Sequence, residues 1–202
     1  MEVRYHNSAK ETAAMGTDEL RAAFLMQQVM VQDEIKLLYT HYDRVIIGGV
    51  MPIYKTVLLP THDALKAKFF LERREIGIIN IGGDGEVIVN GKPYLLRKLD
   101  CLYVGKGNEK VQFKTVKRKE PAKFYLLSAP AHKEIRVQLM KKEKAAPVEL
   151  GSVATANQRT IYKYIHAEGL KSCQIVMGLT VLREGSVWNT MPTHVHDRRM
   201  EA

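Results

Sequence analysis

Residues 69–128 constrain the fold most: short aliphatic runs follow one another with glycine-rich breaks and no stretch of helical period. Ile76-Gly-Ile-Ile-Asn-Ile81 reads as a strand, Gly82-Gly-Asp-Gly85 as a turn and Glu86-Val-Ile-Val89 as the returning strand. Asn90-Gly91 follows, the pair best suited to a tight hairpin, because both central residues of a type I′ turn need positive φ. Tyr94-Leu-Leu96, Leu102-Tyr-Val104, Val111-Gln-Phe113 and Phe124-Tyr-Leu-Leu-Ser128 continue the series, with Gly105-Lys-Gly107 as a further break. A parallel sheet needs long crossovers between its strands. Short strands joined by tight turns make an antiparallel sandwich or barrel instead.

The flanks extend this all-β pattern. Residues 1–16 are polar and small, a lead-in arm. Residues 17–26 read as a short helix, with Thr17 placed to cap it and Asp18 and Glu19 at its positive end. Residues 29–38 and 45–59 read as strands broken by Gly48-Gly49, Pro52 and Pro60. Residues 141–149 are charged and contain proline, the composition of a linker. Beyond it Thr160-Ile-Tyr-Lys-Tyr-Ile165 alternates, with Tyr162 and Tyr164 on one face. Residues 172–182 form a second β segment, closed by an Arg183-Glu-Gly185 turn. The expected division is a unit of residues 1–145 and a second of residues 146–202.

Composition narrows the function classes. The 202 residues are 46% apolar, enough for a real core, and carry a net charge of +9. The basic residues cluster only at 114–123 and 141–144, without the aromatic-interleaved stripe of a nucleic-acid binder. The positive field suits a small anionic substrate. Two cysteines, Cys101 and Cys173, make no disulfide framework and fit packing as small apolar side chains in a reducing compartment. The polar N-terminus and the lack of a membrane-length apolar run lead us to expect a cytoplasmic chain without membrane contact.

The chemistry is concentrated near the end of the chain. His194 and His196 are two apart, so on a strand both imidazoles face one point while Val195 faces away. Glu201 joins them if the chain turns through Asp197-Arg198-Arg199. Two imidazoles and a carboxylate are the donor set of a catalytic divalent metal with open positions. The two halves also overlay. Gly49-Val-Met-Pro-Ile53 matches Ile175-Val-Met-Gly-Leu179, and nearly the same spacing separates Met51 from Phe69 and Met177 from His194. On that overlay Phe69 and Leu71 stand where the histidines stand, and Glu75 is a residual acid facing a filled interior. The first copy is then structural and free of metal.

Gly185, His194, His196 and Glu201 resemble the first half of the cupin metal motif, with the glycine further upstream than usual. More specifically, the chain resembles the 5-keto-4-deoxyuronate isomerase family of pectin breakdown. The likeness runs through Asn157-Gln-Arg-Thr-Ile-Tyr-Lys-Tyr-Ile-His166, Ser172-Cys-Gln174 and Met177-Gly-Leu-Thr180. It continues through Gly185-Ser-Val-Trp-Asn-Thr-Met-Pro192 to His194-Val-His-Asp-Arg-Arg-Met-Glu201, and takes in Arg4-Tyr5 and Asp43-Arg-Val-Ile-Ile-Gly-Gly-Val-Met-Pro52. The resemblance implies two cupin (double-stranded β-helix, or jelly-roll) modules with a short N-terminal helix. It implies one Zn2+ per subunit in the second module, held by His194, His196, Glu201 and a fourth ligand, a histidine further along in the family. It also implies a homo-oligomer, a hexamer, acting on a small anionic sugar acid. The chain stops at Ala202, so the second module is expected to be incomplete, lacking the fourth ligand, and the chain to be an inactive fragment.

The implied reaction converts 5-dehydro-4-deoxy-D-glucuronate to 3-deoxy-D-glycero-2,5-hexodiulosonate, moving a carbonyl from C1 to C2. It needs a base, for which Glu184, His166 and Asp197 are the candidates, or else a hydride shift. Arg183 and Arg198 can grip the uronate carboxylate or serve structural ion pairs. Trp188 and Met191 read as core and His62 as a loop residue. His6, His41 and His132 have no partners at ligand spacing. Two other classes remain: a different metal-dependent cupin such as a dioxygenase, and a non-catalytic oligomerising or sugar-binding cupin.

Overall fold

The computed structural model describes residues 1–189 and residue 202. The chain opens with β1 (Glu2–Arg4), α1 (Ala9–Ala13) and α2 (Thr17–Phe24), and then turns to strands. These are β2 (Ile35–Thr40), β3 (Ile46–Val50), β4 (Val57–Leu58), β5 (Arg74–Asn80), β6 (Gly85–Val89), β7 (Lys92–Leu96) and β8 (Cys101–Val104). They continue as β9 (Val111–Thr115), β10 (Phe124–Pro130), β11 (Gln138–Met140), β12 (Val148–Leu150), β13 (Arg159–Ile165) and β14 (Met177–Leu182).

The strands form sheets of seven, four and three. The seven-stranded sheet runs β1-β2-β3-β10-β5-β8-β11, and the four-stranded sheet β4-β9-β6-β7. All pairs in these two sheets are antiparallel except β1 on β2. They face each other across a core that includes Ile46, Ile76, Ile78, Leu102 and Phe124 from one side and Val87, Leu96 and Phe113 from the other. This is the double-sheet, jelly-roll sandwich expected of a cupin. Asn90 and Gly91 both take positive φ, 49° and 85°, as the hairpin between β6 and β7 requires.

The third sheet, β12-β13-β14, packs on the outside of the seven-stranded one. Strand β5 is therefore buried on both faces along its whole length. Ile76 and Ile78 point into the sandwich, while Ile79 belongs to the cluster shared with Ile165, Ile175 and Met177. Gly77 lies between: a Cβ there would stand 2.6 Å from Met177 Sδ and 2.9 Å from Ile165 Cδ1. The glycine lets the outer hairpin approach the sheet.

Several expectations need correction. The arm contains β1 and α1, with Ser8 and Glu11 forming a capping box. Gly16, not Thr17, is the N-cap of α2, and Glu19 accepts from its amide at 2.8 Å. Residues 141–149 are no free linker. Ala145 is fully buried, Lys142 N donates to Asp100 at 3.0 Å, and β12 pairs with β13. Within residues 172–182 only β14 is a strand. Phe69 is half-buried in a turn, and it is Phe70 and Leu71, adjacent rather than alternating, that enter the core.

The overlay of the two halves also shifts. Met51 follows the end of β3, whereas Met177 begins β14, so aligning them does not equate strands. Setting Val50 on Leu182 in the sequence aligns the range of β3 with that of β14. The same register places Pro60-Thr61-His62 against Pro192-Thr193-His194 in the sequence.

Candidate functional site

The three expected metal ligands, His194, His196 and Glu201, lie outside the described residues, as do Met191, Asp197 and Arg198. What is described is the frame that leads to them. Strands β13 and β14 pair from Arg159↔Leu182 to Ile165↔Met177, with a bulge between Lys163 and Ile165. Tyr162 and Tyr164 stack at 6.4 Å, as the alternation requires, and Tyr164 is fully buried. Past β14 the chain turns at Gly185, φ 79°. Arg183 N then donates to Gln158 O at 2.9 Å, and Val187 N to Ala156 O at 2.8 Å. The segment entering the histidine motif is thus tied to residues 156–158. Trp188 is 47% exposed, so among the described residues it is not the core residue expected.

The base candidates separate. Glu184 follows the β14 end that pairs with Arg159, and His166 follows the opposite end of β13. Seven residues of strand lie between those ends, on the order of 20 Å, so the two cannot serve one centre together. His166 Nδ1 accepts from Glu168 N at 3.3 Å, a local turn contact. Arg183 Nη2 donates to Glu149 Oε1 at 2.9 Å, and Thr160 Oγ1 donates to the same oxygen at 2.8 Å. Thr160, with Arg183, holds the Glu149 carboxyl below its usual range. Arg183 is accordingly engaged in an exposed ion pair, worth little to stability but enough to orient the turn.

Glu75 is the residue that sequence reasoning placed wrongly. It is 0% exposed, yet it faces the outer hairpin rather than the filled interior of the sandwich. Its Oε2 accepts from Tyr103 OH and Cys173 N, each at 2.7 Å. Its Oε1 accepts from Gln174 N at 2.7 Å and Ile175 N at 2.9 Å. Four donors saturate both oxygens, so the carboxylate is a tie between β5 and the loop entering β14. The signal for it was an acid directly before the apolar run Ile76–Ile79. That marks a buried polar partner but not which face it serves.

Among the described residues no group of three or more His, Cys, Asp or Glu could hold a metal. His62 is half-buried, its Nδ1 accepting from Ala64 N at 3.2 Å to cap a single 3-10 turn at Asp63–Leu65, which fits the expected loop role. Both cysteines are free. Cys101 is fully buried, and burial pushes its thiol far up. The three expected ligands, His194, His196 and Glu201, offer two imidazoles and a carboxylate, donor types that would suit zinc.

The architecture is all-β, and the sequence relatives make the class an enzyme of the ketol-isomerase, or intramolecular oxidoreductase, type. The comparisons are specific. The pattern of the KduI/IolB family matches residues 24–202, and the chain belongs to that family. A protein of Halalkalibacterium halodurans named 4-deoxy-L-threo-5-hexosulose-uronate ketol-isomerase is 49% identical over 201 residues, covering 100% of this chain and 73% of that protein. Proteins of the same name from Shouchella clausii and Caldicellulosiruptor bescii are 48% and 46% identical, each again with 73% of its length covered. Among solved structures, an IolB-like protein from Salmonella typhimurium LT2 is similar with a TM-score of 0.49 and 14% identity, over 63% of this chain and 47% of that one.

Proposed function

We propose that this chain is a zinc-dependent ketol-isomerase of polyuronate breakdown, converting 5-dehydro-4-deoxy-D-glucuronate to 3-deoxy-D-glycero-2,5-hexodiulosonate. The observation that carries the reading is near-half identity over the whole chain to relatives named for that class of reaction. The intact His194-x-His196-x4-Glu201 string supports it. We read residues 1–145 as the metal-free cupin module and residues 146–202 as the start of the metal-binding one. The active form is a homo-oligomer, a hexamer, in the cytoplasm. Its substrate is a small sugar acid, and no helix among the described residues is long and apolar enough to cross a membrane.

In this reading His194 and His196 act as neutral imidazole donors and Glu201 as the anionic one. Bound zinc supplies the positive charge that stabilises oxygen as the carbonyl moves from C1 to C2. The proton leaving C2 is accepted by a side chain and returned to C1, which Glu184, His166 or Asp197 could do from within hydrogen-bond reach. Glu184 and His166 lie at opposite ends of the hairpin, so one of them at most contributes. Arg183 is tied to Glu149, which leaves Arg198 to grip the substrate carboxylate.

The test is zinc content together with keto-uronate turnover, on this chain, on a form extended to the length of the relatives, and on His194→Ala and His196→Ala in that extended form. Zinc and turnover in the extended form, both lost in its variants, is the expected result, and the same in the 202-residue chain would overturn the expectation that it is an inactive fragment. Full zinc occupancy in His194→Ala would sink the ligand assignment. Oligomers without turnover would favour a non-catalytic cupin.

A further inference from the structure

Arg74, the first residue of β5, is 6% exposed and none of its partners is an acid. Its Nε donates to Ser128 Oγ at 3.1 Å, and its Nη2 donates to Ser128 O at 2.9 Å and Arg44 O at 2.7 Å. The guanidinium lies 6.0 Å from the centre of the Tyr39 ring. Nη1 donates to none of the described residues. A buried charge without a counter-charge is costly, and the usual resolution is a paired anion. Burial pushes this guanidinium down to about 10, and Arg44 beside it adds to the effect.

Arg74 lines a cavity of about 250 Å³ at the end of the sandwich where β2 and β10 finish and β5 begins. Arg44 and Arg73 line it too, and Tyr39, Leu65 and Phe70 supply apolar wall. The described lining contains no carboxylate. Arg73 Nη2 donates to Leu65 O at 3.2 Å and also to Lys66 O, which holds the covering loop over the cavity. Three arginines around a small, partly apolar chamber present forked donors and excess positive charge, the arrangement that recognises an oxyanion. The volume is just under that of ordinary ligand pockets, which limits the occupant to monosaccharide size or less.

We propose that the Arg44–Arg73–Arg74 cavity is a binding site for a small oxyanion, either the carboxylate of a sugar acid or inorganic phosphate. Its described lining belongs to the sandwich, and the site does not depend on the isomerase reading.

Calorimetric titration of the full 202-residue chain with D-glucuronate, and separately with inorganic phosphate, tests it. The variants are Arg74→Gln, Arg44→Gln and the double variant His194→Ala/His196→Ala. The expected result is saturable binding of at least one anion, weakened tenfold or more by either arginine change and unaltered in the histidine variant. The tighter of the two anions identifies the source. Arg44 is exposed, so Arg44→Gln keeps the test decisive if Arg74→Gln fails to fold. No saturable heat from either anion up to ~10 mM, where affinity is already very weak, overturns the proposal. So does binding that survives Arg44→Gln and disappears with the histidines.

Discussion

At the scale of single residues, Glu75 shows how a polar group in an apolar strand does structural work. Each of its four partners is a donor, so both oxygens act as acceptors and nothing buried is left unpaired. Glu75→Gln replaces one acceptor oxygen by an NH2 that must face at least one backbone N–H. We expect a loss of about 2–4 kcal/mol, the cost of breaking charge-assisted bonds and stranding a buried donor. Tyr103→Phe removes a single partner and should cost about 1 kcal/mol. Denaturant midpoints check the size, and amide exchange checks the place: the amides of Cys173, Gln174 and Ile175 should exchange faster in Glu75→Gln. Unchanged protection at those three would contradict the tie. The sequence shows that residue 75 is an acid between Arg74 and the apolar run that begins at Ile76. It does not show that β5 is buried on both sides, so it cannot tell which of two apolar faces the acid serves.

At the scale of elements, legibility followed how local the cause is. The β6–β7 hairpin was readable because Asn90 and Gly91 tolerate the positive φ that the turn demands. Strands β1, β11 and β12 were not, because each is three residues long and owes its extended form to a partner strand. The cap of α2 slipped by one residue because Glu19 reaches back to the Gly16 amide, which the capping preference of Thr17 concealed. In β5, Gly77 makes a prediction of its own. Gly77→Val places branched carbon where Met177 Sδ and Ile165 Cδ1 already stand, at 2.6 and 2.9 Å from the first added atom. Overpacking of this kind costs roughly 1–3 kcal/mol. The stability loss should appear in thermal unfolding and be relieved by a second change, Met177→Ala, that opens room. A variant as stable as the parent would mean the hairpin does not sit against β5 at that distance.

At the scale of the molecule, the outer hairpin joins the sandwich through a second apolar cluster in which Cys101, Tyr103 and Ile79 meet Tyr164, Ile165 and Met177. Residues 141–149 read as a linker because charge and proline are local facts. Their pinning depends on Asp100 and β13, which the chain brings near only on folding. The candidate ligands His194, His196 and Glu201 are legible only as residue types at a suggestive spacing. Their place in space lies beyond the described residues. The hairpin that leads into them can be loosened by itself. Tyr164 is 0% exposed and its hydroxyl donates to Leu99 O, so it anchors β13 to the loop before β8. Tyr164→Ala leaves a cavity between the sheets worth about 3–5 kcal/mol, by analogy with other large aromatic truncations. If the hairpin opens as its own unit, amides of β13 and β14 should lose protection by several orders of magnitude while those of β5 and β10 keep theirs. If the proposed zinc site forms, its zinc affinity in a form extended to the relatives' length should weaken with them, because the candidate ligands follow β14 in sequence. Equal loss across all four strands would instead make sandwich and hairpin one cooperative unit.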